Sequence, residues 1–415
     1  MKKIHPLHNY WIFSIFALIF SFFEVLTAQG QTSIISDYAL ISPKINTSPL
    51  PVYDYDKLDY GMTIGIERTP KGRIWACWVP GGDNEDAFFI LNSSDDDGKT
   101  WSKPKTVIDP HDPSLKEKRR TLVGCLWLDP GGKLWLFFDQ SMTYFDGRSG
   151  NWYTVCENPD ATNPVWSEPV RFSDGCTLNK PIILKDGTWL LPVSLWDRTK
   201  IRDASYKEAF HELDDLRMAN VFASNDQGKT WTRRGGVRYP QPQFDEHHII
   251  ERKDGTLWMT ARTANGIWES VSNDKGKTWS EPQKYLEHIG SRHFMRRLQS
   301  GRILMVRHGA LNEKTKFRSK LTAYLSEDEG KTWTGGLMLD ERRIISYPDG
   351  FQAPDGTIYI SYDHNRDYDG EILMARFTEK DILSGKFGGR KSKAKILISR
   401  PLGLDKLIAP SEISK

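Results

Sequence analysis

SDDDGKTW at 94–101, SNDQGKTW at 224–231, SNDKGKTW at 272–279 and SEDEGKTW at 326–333 are four copies of one octet, S-x-D-x-G-K-T-W. Each reads as a clasp between two strands. The aspartate can accept backbone N–H groups across the turn, glycine supplies a positive φ, and tryptophan packs beneath the hairpin. A degenerate copy, NPVWSEP around Trp166, lies in the wide gap between the first two octets.

A second motif, an apolar strand leaving a glycine turn, occurs six times: KGRIWACW (71–78), GGKLWLFF (131–138), DGTWLLPV (186–193), DGTLWMTA (254–261), SGRILMVR (300–307) and DGTIYISY (355–362). Its glycines are Gly72, Gly132, Gly187, Gly255, Gly301 and Gly356, spaced by 60, 55, 68, 46 and 55 residues. Six repeats of short strands predict an all-β chain folded as a six-bladed β-propeller with Asp-box hairpins. The spacing assigns residues 60–377 to the propeller, 29–59 to a lead-in that helps close the ring, and 378–415 to a C-terminal extension. The stretch 197–216 reads as a partly helical loop over one face.

Composition narrows the class further. The 415 residues include 57 Lys or Arg and 54 Asp or Glu, a formal charge of +3. That near-balance lacks the basic footprint of a nucleic-acid binder. Residues 1–28 read as a secretory signal: Lys2 and Lys3, an apolar run, then Ala28 as the small residue at the cleavage point. A secreted or periplasmic protein with no stable membrane partner is expected. Cys77, Cys125, Cys156 and Cys176 show no metal-binding spacing and read as buried thiols.

The shared glycine frame lets the inner-strand ends be compared. Nine residues before each glycine stand Thr63, Val123, Leu178, Glu246, Arg292 and Tyr347; seven after stand Val79, Asp139, Ser194, Arg262, His308 and Asp363. Polar groups gathered at one end of inner strands are costly to bury unless they serve each other or a ligand. Both registers therefore predict a polar site in the central funnel.

With these residues in view, the sequence resembles the sialidase superfamily from about Tyr60 to Phe377. The resemblance implies that Glu246, sixteen residues before Arg262, is the base, and that Tyr347 is the nucleophile. It implies that Arg262 and Arg318 bind the substrate carboxylate, and that an aspartate in PGGDNEDAFF is the acid. Asp83 and Asp86 both fit that last role; Asp83 suits the loop length better, and Asp86 is kept with Asp139 and His308 as a substrate contact. The chain departs from the family where a blade-one arginine is expected, since Gly61, Met62 and Thr63 stand there. Arg292 is the expected replacement in a rearranged clamp. For Arg366, in YDHNR, substrate contact and a blade-to-blade hydrogen bond both stay open.

The implied activity is that of an exported, retaining exo-α-sialidase-type hydrolase acting on an acidic-sugar-terminated glycan, with no metal or organic cofactor. Two other readings are a non-catalytic sugar-binding propeller and a hydrolase or lyase for uronic acid chain ends.

Overall fold

The computed structural model of the chain describes residues 35–401; the expected signal at 1–28 lies outside them. The described residues fall into two units that divide between Ile41 and Ser42. The first contributes a short 3-10 turn, Ile35–Leu40, to the described residues. The second carries the propeller.

Six antiparallel sheets follow one another along the chain, each built around four consecutive strands. Their innermost strands are Met62–Arg68, Gly124–Leu128, Ile182–Ile183, Pro242–Glu251, Phe294–Arg297 and Ile345–Gln352. In each blade the glycine turn joins the first strand to the second, as the spacing predicts. The Asp boxes lie between the third and fourth strands of blades one, three, four and five. Trp166 holds the equivalent place in blade two, bridging to Cys156. In blade six the helix Glu379–Ser384 replaces the clasp, and the outer strand is Lys393–Ser399. The sixth blade therefore runs past the expected boundary at 377.

The clasps work as their chemistry suggests. In the first, Asp96 Oδ1 accepts the Lys99 and Thr100 N–H groups at 3.0 and 2.9 Å, and Ser94 Oγ accepts that of Gly98 at 2.9 Å. Hydrogen bonds led by the threonine hydroxyls hold Asp96, Asp226, Asp274 and Asp328 down at about 2. The turn also docks on the preceding blade. A Cβ added at Gly330, where φ is +88°, would lie 2.4 Å from the Trp258 ring. Ring closure uses the same device: Asp97 in the first box takes the Arg376 guanidinium of blade six at 2.6 Å.

Most tryptophans are core. Trp127, Trp135, Trp189 and Trp231 form one apolar cluster between blades two and three. All four cysteines are buried free thiols.

The channel axis is filled by charge rather than hydrocarbon. The Lys180 ammonium donates to Ile66 O (2.9 Å), Leu126 O (2.7 Å) and Glu67 Oε1 (2.8 Å), and sits 3.1 Å from Asp349 Oδ2. It thereby ties blade three to blades one, two and six. Breaking such a buried network strands the remaining carboxylates, which costs about 3–5 kcal/mol. Lys180→Met is expected to lose that much stability in chemical denaturation; a loss below about 1 kcal/mol would show that the axis is not held this way.

Candidate active site

The funnel end of the inner strands is shaped by broken pairing. Register shifts occur between Thr63 and Gly65, between Pro242 and His248, and between Ser346 and Asp349. Bulges of this kind re-aim side chains. Phe244, Asp245, Glu246 and Tyr347 all have positive φ, from 45° to 66°. Non-glycine residues rarely adopt that conformation outside constrained sites.

These distortions bring Glu246 and Tyr347 together across the funnel from blades four and six. Tyr347 Oη donates to Glu246 Oε1 at 2.7 Å, and Arg262 Nη1 donates to the same oxygen at 2.9 Å. Glu246 Oε2 is buried and has no partner. Burial, then the Glu246 charge, pushes the Tyr347 phenol up to about 12. Near neutral pH it is therefore a neutral hydroxyl with a base already in contact.

A small cavity of about 50 Å³ opens over this pair. Arg262, Arg318 and Arg366 line it, with Asp83 from blade one. Asp83 is exposed at the rim. The wall from blades one to three is apolar at Met62, Leu122, Val123 and Leu178, and Tyr144, Trp196 and Phe244 add aromatic surface. The 197–216 loop, which folds into 3-10 turns, braces those aromatics from behind. Its Arg202 lies 3.4 Å over the Tyr144 ring and its Lys200 4.7 Å over Phe244. Two cavities of about 300 and 380 Å³ open at the far ends of the inner strands, by Glu251, Arg297 and Gln352. They are larger, but neither pairs a nucleophile with a base.

Four expected contacts lie elsewhere. Arg292 is buried beneath the site, where Nε and Nη2 donate to Asn179 Oδ1 at 2.9 and 2.7 Å and Nη2 to Leu178 O at 2.6 Å. It is committed to the floor rather than to a clamp. Asp139 is fully buried, pairs with Arg120 and accepts the Leu122 and Val123 N–H groups. Asp86 pairs with Lys118 outside the cavity. His308 is buried against Ile345 O at 2.8 Å. Of the positions seven after glycine, Arg262 alone lines the cavity: the second strand stands one place off the axis, and only a long side chain reaches inward.

His308 belongs to a buried histidine group with His247, His248, His288 and His293. Burial holds His247 at about 4 and His293 and His308 at about 3, and puts His248 and His288 well below 6.5. In the unfolded chain these imidazoles protonate below 6.5, whereas in the folded chain they stay neutral. Their contribution is thus complete above pH 6.5 and declines as pH falls toward the folded values, by up to about 1.4 kcal/mol per group and pH unit. Burial raises the carboxyls of Asp245, Glu67 and Asp174, which act in the opposite sense together with the raised His111 and His211. The lowered carboxyls of Asp96, Asp226, Asp274 and Asp328 add to the loss at the acid end. The melting temperature is expected to drop steeply from pH 6.5 to 4; a flat profile would contradict this.

The ring of Asp-boxed blades and its arginine-lined funnel define a six-bladed β-propeller with a cationic site at the funnel end. The chain belongs to the BNR repeat-like domain family, whose sequence profile matches residues 72–360. It is 24% identical to a sialidase of Bacteroides fragilis strain YCH46, over 70% of this chain and 42% of that protein. A Paraclostridium sordellii sialidase is 30% identical over 100 residues, 24% of this chain and 21% of the relative. The chain thus spans less than half the length of these curated relatives. The structure of the Ruminococcus gnavus intramolecular trans-sialidase with oseltamivir carboxylate superposes with a TM-score of 0.59 at 14% identity, covering 80% of this chain and 97% of that one. At that identity it speaks for the fold alone.

Proposed function

We propose that the chain is a retaining exo-α-sialidase-type glycoside hydrolase that releases a terminal acidic sugar from a glycan, with Tyr347 as nucleophile. The observation that carries this is the buried Tyr347–Glu246 hydrogen bond of 2.7 Å at the base of a cavity lined by three arginines. Binding alone has no use for a base in contact with a buried phenol. The named sialidase relatives add support.

The chemistry follows from charge. A sialic acid carries its carboxylate on the anomeric carbon, so a carboxylate nucleophile would be repelled. A phenol approaches neutral, and Glu246 takes its proton as the bond to the anomeric carbon forms. Asp83 gives a proton to the departing glycosidic oxygen. It then takes one from the water that displaces the tyrosine, returning Tyr347 and Glu246 to their starting state. Paired, charge-assisted hydrogen bonds from Arg262 and Arg318 hold the carboxylate meanwhile. Release of the mature chain to the periplasm or cell exterior, after cleavage near Ala28, is part of the same reading.

Proton NMR of the first product formed from an α-sialoside tests it. Initial appearance of the α-anomer is expected. Initial β-anomer, or no release of acidic sugar from any sialoside, would contradict the proposal.

A further inference from the structure

We infer that Arg366, braced by Asp363, is the third arm of the carboxylate clamp, contributed by blade six. This rests on the acidic-sugar reading above and names the residue that sets its selectivity. Arg366 lies just beyond the strand Ile358–His364 and lines the same cavity as Tyr347, Glu246, Arg262 and Arg318. Its guanidinium carbon stands 4.2 Å from the Tyr347 ring centroid. In a sugar whose carboxylate is bonded to the anomeric carbon, that carboxylate must lie beside the attacking phenol. A cation packed on the phenol ring is therefore in place for it.

Asp363 fixes the fork. Its carboxylate accepts Arg366 Nε at 2.7 Å and Nη2 at 3.2 Å, and also the Thr63 N–H at 3.1 Å. This engages one edge of the guanidinium and leaves Nη1 uncommitted. Arg318 is held only by neutral oxygens, Ser346 Oγ at 3.0 Å and Gly290 O at 3.1 Å. Arg262 shares Glu246 with the tyrosine.

The local charge count points to the ligand. Three guanidiniums, Arg262, Arg318 and Arg366, face two buried carboxylates, Glu246 and Asp363. Among these buried groups the surplus is 3 − 2 = +1, which one carboxylate neutralises; Asp83, the carboxyl assigned to the leaving group, stands apart at the exposed rim. The surplus is also felt by Arg318, whose pKa is lowered by burial and then by repulsion from Arg262 and Arg366. The opposite wall offers Met62, Leu122, Val123 and Leu178, with Tyr144 and Trp196 as neutral polar groups and no cation among these lining residues. The anionic end of the sugar must therefore point to blades four, five and six, with its apolar substituents toward blades one to three.

The probes are 2-deoxy-2,3-didehydro-N-acetylneuraminic acid and its methyl ester, titrated into the full chain by calorimetry. The unmodified protein is expected to prefer the acid. Arg366→Ala should weaken acid binding by about 10–100-fold and ester binding by no more than about twofold, the difference expected for one charge-assisted contact. Arg366→Lys keeps a cation opposite Asp363, so the fold is safe. It should still lose about tenfold of the acid preference, because an ammonium cannot fork. Asp363→Asn should erode the preference while leaving ester binding in place. If folded Arg366→Ala or Arg366→Lys keeps the full acid preference, the blade-six arm is wrong and the acidic-sugar reading stands. If the unmodified protein shows no preference for the acid, that reading falls and the clamp with it.

Discussion

Tyr347→Phe is expected to lower kcat on a sialoside by about 10³-fold or more, with the chain still folded. The substitution removes one oxygen from a side chain whose ring stays packed beside Arg366. What it removes is the oxygen that donates to Glu246 from blade six, at 2.7 Å. Glu246→Gln should do comparable damage for a different reason: the amide oxygen can still accept a hydrogen bond but cannot take the proton. Because the two residues act as one unit, the double variant should be no slower than the worse single one. Steady-state kinetics on all three variants checks this. Additive losses would mean that tyrosine and glutamate act separately.

Asp83→Ala is the second large effect, and its signature is dependence on the leaving group. A positioned acid contributes roughly 10²–10⁴-fold, but only where the departing oxygen needs a proton. Hydrolysis of a sialyllactose should fall by that range. Hydrolysis of a 4-methylumbelliferyl sialoside, whose aryl oxide leaves unaided, should fall far less in its first step. Asp86→Ala should leave both rates within about twofold, because Asp86 is engaged with Lys118 outside the cavity. Equal losses on both substrates for Asp83→Ala would remove it from the acid's role.

The repeats made the architecture legible because each octet and each glycine turn is a local device, readable without knowing its neighbours. The register nine before the glycine also transferred well. Val123, Leu178, Glu246 and Tyr347 all line the cavity, since innermost strands face the axis directly. Where reading failed, direction in space was the missing quantity. Arg292 shares that register, yet its guanidinium turns down to Asn179 and Leu178. Asp139 and His308 sit on second strands, and their side chains are consumed in holding backbone groups. Arg366 stood in plain sight three residues after Asp363, but its role depends on an Asp363 carboxylate that orients it. The outer strand of blade six was hidden because a capped helix, Glu379–Ser384, stands where an Asp box would have announced it.

The missing blade-one arginine also takes on a different meaning. Met62 occupies the cavity wall there, so that side of the funnel is apolar, and the cations lie in the other half. Tryptophan content mainly reflects blade packing; among the described residues Trp196 reaches the cavity.

The most direct test of the central claim is to trap the glycosyl–enzyme intermediate. In 2,3-difluoro-sialic acid the C3 fluorine slows both steps while fluoride departing from C2 keeps the first the faster, so incubation should leave a sugar attached to the chain. Peptide mass spectrometry is expected to place it on Tyr347, with no label on the Tyr347→Phe variant. Hydrolysis of sialosides without any adduct, or an adduct on a carboxylate such as Glu246, would contradict the tyrosine mechanism.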